Sequence, residues 1–412
     1  MSEEVAVIGA GIVGLAIAFH LQGEGRKVWL FERSGIAEGA SFGNAGAFAF
    51  SDVLPLASPG IMRKAPKWLL DPLGPLSIPP SYLPRIAPWL FRFWRASLPD
   101  RFRHSTKVQC ELMRLSAAAM EAMVAKAGLG GRVRSDGNLQ LYESEAELTA
   151  SLPGWEARAT EGIPFEHVRG ARLAELQPGL APRFVVGSFT PHWQTVDDPY
   201  RFALALSGAV MAQGAALERA EVIEVAPSEA GVSLRLADGR KVEAGQAVIA
   251  AGAWSRALTD RLGDRIPLET ERGYNTTLPQ GAFDLRRQLT FGGHGFVITP
   301  LSTGIRVGGA VELGGLNLPP NFARSAAMLK KAASFLPGLV TSGGKQWMGF
   351  RPSLPDTLPV IGASKASPRI LYAFGHGHSG LTQSAATGQL VADLVARRTP
   401  RISLDPFRPN RF

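Results

Sequence analysis

The chain has 412 residues, of which 45% are hydrophobic and 19% charged, a composition typical of globular proteins and a length that favours two or three domains. The single cysteine, Cys110, excludes an intramolecular disulfide framework and any cysteine-rich zinc or iron–sulfur site, which fits a reducing compartment. A formal net charge of +9 is compatible with nucleic acid, a membrane surface or acidic ligands and does not choose between them.

The N-terminal residues MSEEVAVIGAG lack a basic region, and their apolar run ends at a glycine turn, so we expect no secretory signal. No later segment reaches the roughly 18 consecutive apolar residues that a spanning helix needs. The sequence therefore predicts a protein that is soluble or bound peripherally to a membrane.

The first elements are predicted from residues 5–33, VAVIGAGIVGLAIAFHLQGEGRKVWLFER. The pattern predicts a strand over Val5–Ile8, a helix over about Ile12–Gly23 and a second strand over Val28–Phe31. Strand, helix and strand in this order are typical of a mononucleotide-binding half of a Rossmann fold.

Three glycines follow the first predicted strand with the spacing Gly-x-Gly-x-x-Gly. Gly9 permits a tight turn, Gly11 lets a pyrophosphate approach the backbone, and Gly14 allows close packing of helix on strand. Glu32, at the end of the second strand, is placed to accept hydrogen bonds from ribose hydroxyls. This arrangement predicts a dinucleotide site, and alone it does not decide between a nicotinamide and a flavin.

A proline-rich passage over residues 54–88 is predicted to exclude a long helix. The overlapping segment 81–107, SYLPRIAPWLFRFWRASLPDRFRHSTK, combines aromatic residues at helical spacing with many arginines. This combination suits a helix lying in an anionic membrane interface. An internal amphipathic helix with solvated arginines explains the same pattern.

The remaining elements follow from hydrophobic periodicity and from helix start and stop signals. They are a helix over Ser105–Lys126 with Ser105 as N-cap, a strand-like run over Arg132–Glu143, a strand over Phe184–Phe189, a helix from Asp197 toward Ala212, strands within 216–250 and 268–311, and helices over Ala323–Ser334 and Ser384–Ala396.

Two further glycine turns follow buried strands far along the chain. One is VIAAGAWS at 248–255, and the other, AFGHGHSGLTQSAATGQL at 373–390, opens a helix. Three small-residue strand ends spread over the chain fit a long dinucleotide wrapped by one domain, whereas a nicotinamide enzyme usually needs one such turn. Flavin is thereby favoured.

The segments SFGNAGA, ERGYNTTL, MGFRPSLPDTLPVIG and GHGHSGLTQSAATGQLVADL, together with the first glycine turn, resemble the D-amino-acid-oxidase-like FAD-dependent oxidoreductases. The chain looks most like the bacterial D-amino-acid dehydrogenases of the small-subunit type, and glycine oxidase and sarcosine oxidase are more distant. The resemblance implies an α/β plus α+β fold, in which a glutathione-reductase-like Rossmann FAD-binding domain carries an inserted antiparallel-sheet substrate domain. The implied FAD domain covers 1–80, 150–265 and 345–412, and the implied substrate domain covers 81–149 and 266–344.

The resemblance also implies which residues hold FAD. They are Gly9, Ala10, Gly11, Ile12, Val13 and Gly14 near the diphosphate, Glu32 and Arg33 near the adenosine ribose, Ser41, Gly43, Asn44, Ala45 and Gly46 beside the flavin, Val222 through its backbone at the adenine, Gly252 in the second turn, and Gly377, Gly380, Leu381 and Thr382 at the pyrimidine edge.

Three residues are the candidates for catalysis. Arg351, in GFRPSLPD, matches the family's motif, and its guanidinium would bind an amino-acid carboxylate in bidentate fashion. Tyr274 would donate its hydroxyl to the same carboxylate or line the pocket. His378 would face the substrate amine or shape the loop.

The implied reaction is hydride transfer from the substrate Cα to flavin N5, which needs a neutral amine and orientation but no obligatory protein base. The substrate would be a D-amino acid or a cyclic D-imino acid of the D-proline or hydroxy-D-proline type, and electrons would pass to a quinone or another carrier. An oxygen-using glycine or sarcosine type of amine oxidase and a non-catalytic FAD-binding subunit stay open.

The same resemblance sets the remaining expectations. FAD is expected to be non-covalent, because SFGNAGA offers no histidine and Cys110 falls in a predicted helix far from the flavin motifs. We expect neither a metal site nor a nucleic-acid partner. The expected location is the cytoplasm or the inner face of the bacterial membrane, with residues 81–107 as the contact.

Overall fold

The computed structural model describes residues 4–61 and 74–412. Within these ranges the helices span Ile12–Gly23 (α1), Leu83–Ala96 (α2), Pro99–Lys126 (α3), Glu145–Thr160 (α4), Gly170–Leu176 (α5), Pro199–Ala212 (α6), Ser255–Arg261 (α7), Ala323–Phe335 (α8) and Gly380–Val395 (α9). The strands span Glu4–Ile8 (β1), Lys27–Phe31 (β2), Ala47–Phe48 (β3), Leu76–Ser77 (β4), Val133–Arg134 (β5), Asn138–Tyr142 (β6), Glu166–Arg169 (β7), Val186–Thr190 (β8), Gln194–Val196 (β9), Ala216–Glu218 (β10), Val222–Pro227 (β11), Val232–Leu236 (β12), Lys241–Ala244 (β13), Gln246–Ile249 (β14), Glu269–Leu278 (β15), Gln288–Phe291 (β16), Phe296–Leu301 (β17), Gly304–Glu312 (β18), Lys345–Ser353 (β19), Val360–Ala363 (β20) and Ile370–Phe374 (β21).

Strand β1 lies inside a six-stranded sheet with the order β10-β2-β1-β14-β21-β20. All neighbours are parallel except the edge pair β20 and β21. Val5 and Val7 pack in a core with α1, α6 and α9, whereas Ala6 and Ile8 pack in a second core with the three-stranded sheet β11-β12-β13. Strand β1 is therefore buried on both faces, which explains why its sequence is continuously apolar.

A second large sheet has nine strands, in the order β19-β15-β18-β17-β16-β6-β8-β7 with β4 beside β18. Its pairs are antiparallel except β16 with β6 and β18 with β4. Leu139 and Leu141 of β6 lie in a core shared with α8, while the alternate residues Asn138 and Gln140 line a large cavity. The two-residue alternation of the strand thus gives this sheet one packed face and one face for the site.

The predicted fold class, a Rossmann-like sheet combined with a second, mainly antiparallel sheet, is confirmed. The domain boundaries stay a prediction. Strands β7 and β8, within the predicted FAD range 150–265, and β19, within 345–412, pair in the nine-stranded sheet. A small sheet, β3-β9-β5, joins segments from both predicted domains.

Two helix predictions in and after the proline-rich region need correction. Helix α2 forms there, because Pro84 lies in its first turn, where a missing amide donor costs little, and it continues through Pro88. Helix α3 begins at Pro99 after the extended Leu98, so Ser105 is buried inside the helix and is not its N-cap. Residues 62–73 of the proline-rich passage, like 1–3, lie outside the described residues.

The predictions for the first strand, first helix and second strand are confirmed with shifts of at most one residue. Helix α6 is also confirmed, but its cap is Asp198 and not Asp197, since Asp198 Oδ1 accepts from the amides of Tyr200 and Arg201, each at 3.0 Å. Cys110 is buried in α3. No helix of the described ranges is both long and apolar enough to cross a bilayer.

Candidate active site

A cavity of about 800 Å³ lies where the carboxyl ends of the parallel strands meet one face of the nine-stranded sheet. Its wall includes residues that follow β1, β2, β14 and β21, such as Gly9, Glu32, Ala250 and His376. Residues of β6, β15, β16, β17, β18 and β19 form the other wall. In open parallel sheets ligands bind at this edge of the strands, so the cavity is the candidate active site.

The first glycine turn is too crowded for side chains. Gly9 has φ +105°, and a Cβ there would lie 2.6 Å from the carbonyl oxygen of Ala250. A Cβ on Gly14 would lie 1.9 Å from the carbonyl oxygen of Gly9. Gly11 and the start of α1 lie on the cavity wall. The turn therefore presents backbone and a helix N-terminus to the cavity, the arrangement that binds phosphate groups.

Glu32 connects the first turn to the end of β2. Its Oε2 accepts from the amide of Ala10 at 2.9 Å, and its Oε1 accepts from the amide of Ser34 at 3.1 Å. Next to it, the guanidinium of Arg33 stacks 3.8 Å from the ring centroid of Trp254, which follows β14. These contacts fix a carboxylate and a flat cationic surface at one end of the cavity.

The small-residue loop at 41–46 is held from three sides. Ser41 Oγ accepts from the amide of Ile12 at 2.9 Å, and Asn275 Nδ2 of β15 donates to the carbonyl of Gly43 at 2.7 Å. The buried Arg306 of β18 donates to the carbonyl of Asn44 at 2.7 Å. The loop is thereby attached to the start of α1 and to the nine-stranded sheet, and its residues 41 and 43–45 line the cavity.

Arg351 lies on β19 directly opposite Glu271 of β15. Its guanidinium lies over Gly273, where an added Cβ would be 2.2 Å from Cζ, and its Nη1 donates to the carbonyl of Ala310 at 3.1 Å. Burial lowers the pKa of Arg351 and the nearby Glu271 carboxylate opposes this effect. Because an arginine keeps its proton in proteins, the wall carries a half-buried cation with unused donors.

Glu271 and His378 form a close pair beside Arg351. His378 Nε2 lies 2.6 Å from Glu271 Oε2, and both His378 and Arg351 line the cavity. The adjacent His376 is buried and bonds to Thr387 at 2.9 Å inside α9, and burial lowers its pKa to about 3. The two histidines of GHGH therefore differ in exposure: both line the cavity, but His376 is buried whereas His378 is exposed.

Tyr274 lies on the cavity wall, but its hydroxyl is already engaged. It donates to the buried carboxylate of Glu312 and accepts from the amide of Asn321 at 3.1 Å. Burial first, and then Glu312, raises the pKa of Tyr274 to about 12. Glu312 also accepts from the fully buried Arg272 at 2.9 Å. A donor role toward a substrate carboxylate would compete with this network.

The structure brings most of the predicted site residues together on the cavity wall. These are Gly9, Gly11, Ile12, Val13, Glu32, Arg33, Ser41, Gly43, Asn44, Ala45, Val222, Gly252, Tyr274, Arg351, Gly377, His378, Gly380 and Leu381. Four others, Ala10, Gly14, Gly46 and Thr382, lie behind the wall. Thr382 Oγ1, for example, accepts from the amide of Ala49 at 3.1 Å and so supports the loop after β3.

Sequence reasoning missed several residues of the site. Glu271 is the first residue of the quoted ERGYNTTL segment, but in so polar a strand its carboxylate carries no signal of its own. Arg306 and Trp254 carry no signal either, because only the tertiary arrangement brings them to the loop at 41–46 and to Arg33.

Comparison with known proteins identifies the family. The family model described as FAD dependent oxidoreductase matches residues 4–394. The chain belongs to this FAD-dependent oxidoreductase family. A D-amino-acid oxidase of Bradyrhizobium diazoefficiens is 35% identical, covering 100% of this chain and 99% of the relative. A D-amino acid dehydrogenase of Rhizobium johnstonii is 32% identical, covering 99% and 100%.

The fold of this FAD-dependent oxidoreductase is shared with a solved structure, glycine oxidase from Geobacillus kaustophilus. The TM-score is 0.79 at 24% identity, and the match covers 99% of this chain and 98% of the other. At this identity the likeness concerns the fold alone. The chain is therefore an FAD-dependent oxidoreductase whose substrate must be argued from its own residues.

The cavity of this oxidoreductase fits FAD. The glycine turn leaves space only for a ligand that approaches the backbone closely, and Glu32 lies at the end of β2 where a ribose is expected. The buried Oδ1 of Asn275, on the wall beside the loop at 41–46, has no hydrogen-bonding partner among the described residues. A polar ligand would satisfy this acceptor.

Proposed function

We propose that the protein oxidises the carbon–nitrogen bond of a D-amino acid or of a cyclic D-imino acid of the D-proline or hydroxy-D-proline type. The observation that carries the proposal is the half-buried guanidinium of Arg351 on the cavity wall. An arginine fork binds a carboxylate in bidentate fashion and fixes its orientation. The names of the relatives from Bradyrhizobium and Rhizobium support an amino-acid substrate with D configuration.

The roles of the residues follow from their contacts. Bound FAD supplies the acceptor for a hydride. Arg351 binds the substrate carboxylate, Tyr274 closes the pocket while its hydroxyl stays with Glu312, and His378 faces the amine side. Orientation of the substrate by this fixed cation is the main contribution of the wall to the rate.

We also propose that FAD is held non-covalently, by the residues for which the family resemblance implied that role. Those on the wall would contact the cofactor, whereas Ala10, Gly14, Gly46 and Thr382 would hold the contacting loops in place. Precipitation of the yellow protein with acid should release the flavin into the supernatant. Flavin that stays with the pellet would contradict non-covalent binding.

The decisive experiment is anaerobic bleaching of the flavin absorbance by a panel of D-alanine, D-proline, hydroxy-D-prolines, glycine and sarcosine. Arg351→Ala should raise the KM for the best substrate by about 10²-fold, the cost of losing a bidentate charged pair, without loss of FAD. Arg172→Ala removes an exposed arginine of α5 outside the cavity wall and is the matched control. Unchanged kinetics in Arg351→Ala would refute the assigned role.

An oxygen-using amine oxidase is the second candidate, because the relative from Bradyrhizobium is named an oxidase whereas the one from Rhizobium is named a dehydrogenase. We favour transfer of electrons to a quinone or another carrier. The yield of peroxide under air, compared with the reduction of an artificial dye, separates the two. Stoichiometric peroxide at a rate equal to that of dye reduction would favour the oxidase.

We further propose that helix α2 contacts an anionic membrane, where a quinone would be available. Its buried face, Ile86 and Trp89, packs on Leu313 next to β18. Its outer face exposes Leu83, Phe91 and Trp94. Helix α2 and the start of α3 also carry exposed arginines, namely Arg85, Arg92, Arg95, Arg101 and Arg103. Aromatic rings next to arginines are typical of interfacial helices.

A further inference from the structure

We propose that Glu271 and His378 form a carboxylate–imidazole pair in which Nδ1 of His378 accepts the proton of the substrate ammonium group before oxidation. The inference rests on the proposed function and deepens it by naming the proton acceptor and the residue that positions it. Oxidation requires a free amine lone pair, whereas an amino acid in neutral solution carries an ammonium group.

The fold holds Glu271 and His378 next to Arg351, the proposed binding group for the substrate carboxylate. Glu271 is opposite Arg351 in the register of β15 with β19. The loop with His378 is attached to β19 as well, because the amide of Gly377 donates to the carbonyl of Pro352 at 2.8 Å. The loop of the proposed proton acceptor, His378, and the strand of Glu271 are thus both hydrogen-bonded to β19, the strand that carries Arg351.

The contact with Glu271 determines which nitrogen of His378 carries the proton. An ionised carboxylate only accepts hydrogen bonds, so Nε2, at 2.6 Å from Glu271 Oε2, is the protonated nitrogen. Nδ1 then carries the free lone pair, and no described residue bonds to it. The side chain of His378 is 39% exposed and lies on the cavity wall. A proton acceptor is therefore available to a ligand.

The charges around the pair support ionised Glu271. The charged and titratable groups that face it are His378 from the loop before α9 and Arg351 from β19, with the Ser353 hydroxyl as a further donor. Burial raises the pKa of Glu271, but His378, Arg351 and Ser353 together outweigh burial and hold the pKa below its ordinary value. Glu271 thereby stays a carboxylate that can accept a hydrogen bond from His378 and stabilise a positive charge on it.

The transfer conserves the total charge of the site. An N–H bond of the ammonium group breaks, its electron pair stays on nitrogen, and a new N–H bond forms at Nδ1. Before transfer, Arg351 and Glu271 cancel and the zwitterionic substrate is neutral. After transfer, the imidazolium cation balances the anionic substrate, and Glu271 stabilises that imidazolium. No net charge is created in a region of low dielectric constant, where it would be costly.

The test measures the anaerobic rate of flavin reduction by D-proline and D-alanine against pH, in the FAD-loaded wild type, His378→Ala and Glu271→Gln. Without His378 only the anionic substrate, whose amine is neutral, reacts. In a plot against pH of kred/Kd, the rate constant of flavin reduction divided by the dissociation constant of the substrate, the rising limb therefore moves up to the pKa of the substrate amine. The rate near neutrality falls by about 10²-fold, as for loss of a general base. Above the amine pKa it approaches that of the wild type. Glu271→Gln should move the rising limb to lower pH, by about one pH unit, because the imidazolium loses its carboxylate partner.

A second measurement does not depend on turnover. The protein has seven histidines, so a nitrogen-15 NMR spectrum of the histidine-labelled, FAD-loaded protein should show the ring signals of seven side chains. The signal missing in His378→Ala should show the neutral form with the proton on Nε2, and Glu271→Gln should change the balance of the two tautomers. His294→Ala is the matched control, since His294 also contacts a carboxylate, that of Glu143 at 2.8 Å, without lining the cavity.

The outcomes separate this inference from the proposed function. If His378→Ala keeps the wild-type pH profile, or if Glu271→Gln shifts the limb in the alkaline direction, the proton transfer is overturned while the function stands. If D-amino acids fail to bleach even the wild type although dithionite does, the proposed function itself fails. A shifted limb in His294→Ala would show that the effect is a general property of histidines paired with a carboxylate and would also overturn the proposal.

Discussion

Gly273 has no side chain because the guanidinium of Arg351 occupies the place where one would lie. An added Cβ would be 2.2 Å from Cζ of Arg351, far inside contact distance. Gly273→Ala should therefore push the fork off its position and raise the KM for the carboxylate substrate by at least about tenfold, the effect of losing one charged hydrogen bond worth about 1.5–3 kcal/mol. Steady-state kinetics with the best substrate of the panel checks this.

The matched control for Gly273→Ala is Gly208→Ala. Gly208 lies inside α6, and a Cβ there would meet no atom within 4 Å. Alanine should leave KM unchanged and increase stability slightly, because alanine is favoured over glycine in helices by about 1 kcal/mol. A normal KM in Gly273→Ala would show that Arg351 does not need its present position.

His376 should make the stability of the protein depend on pH. Burial lowers its pKa from the usual 6.5 to about 3, so the unfolded chain takes up a proton that the folded chain refuses. The contribution of neutral His376 to the free energy of unfolding is therefore fully present above pH 6.5 and is lost as the pH decreases toward 3. The loss between pH 7 and pH 5 is about 2 kcal/mol. His20, with its pKa lowered to about 4, acts in the same direction.

Urea unfolding of the wild type and of His376→Gln at pH 7 and pH 5 measures the contribution of His376. The variant should lose about 2 kcal/mol less than the wild type over this interval, since glutamine does not titrate. An equal loss in both proteins would show that His376 is protonated at little cost in the folded state.

At the residue scale, the sequence predicts what depends on local motifs. Arg351 was found because GFRPSLPD matches a family motif, and the glycines of the first turn because their spacing has a steric meaning. The contact of Glu271 with His378 joins residues separated by 107 positions and depends on the pairing of β15 with β19. No local pattern encodes that distance, so the sequence suggested His378 without its partner.

At the scale of elements, α2 shows where propensity and pattern disagree. The prolines predicted that no long helix forms, whereas the spacing of the aromatic residues predicted an amphipathic helix. The helix forms because Pro84 occupies its first turn, where a proline is tolerated. Leu83, Phe91 and Trp94 recur at i, i+8 and i+11 and so share one side of the helix, while Ile86 and Trp89 are buried on another. Only the fold could show that the helix has two apolar stripes.

The exposed stripe of α2 makes a prediction about membranes. The protein should sediment with vesicles containing phosphatidylglycerol and much less with phosphatidylcholine alone, and salt should weaken binding by screening the arginines. The double variant Phe91→Ser with Trp94→Ser should abolish sedimentation and keep activity with an artificial dye. Val340→Ser, which changes an apolar residue of comparable exposure elsewhere, is the control. Sedimentation of the double variant at the wild-type level would exclude the α2 surface.

At the scale of the whole molecule, the cavity joins two sheets that the chain builds from interleaved segments. The strand order β10-β2-β1-β14-β21-β20 collects residues from both chain ends and the middle, and the nine-stranded sheet takes the segments between them. The sequence predicted this interleaving from three glycine turns. It could not place β7, β8 and β19, because the residue pattern of a strand does not identify the sheet to which the strand belongs.

A ligand bound between the two sheets should stabilise the entire molecule. FAD added to protein freed of cofactor should raise the melting temperature, since a ligand at about 100 times its Kd contributes about 2.7 kcal/mol, and NAD⁺ at the same concentration should not.

Gly11→Val tests the glycine turn separately. Gly11 lies on the cavity wall, and the atom nearest to an added Cβ there is Ser41 Oγ, at 3.3 Å. The variant should melt near the temperature of the cofactor-free wild type and respond weakly to FAD. A full FAD response in Gly11→Val would place the diphosphate elsewhere, and a response to NAD⁺ equal to that for FAD would reopen the choice of cofactor that the first glycine turn alone leaves undecided.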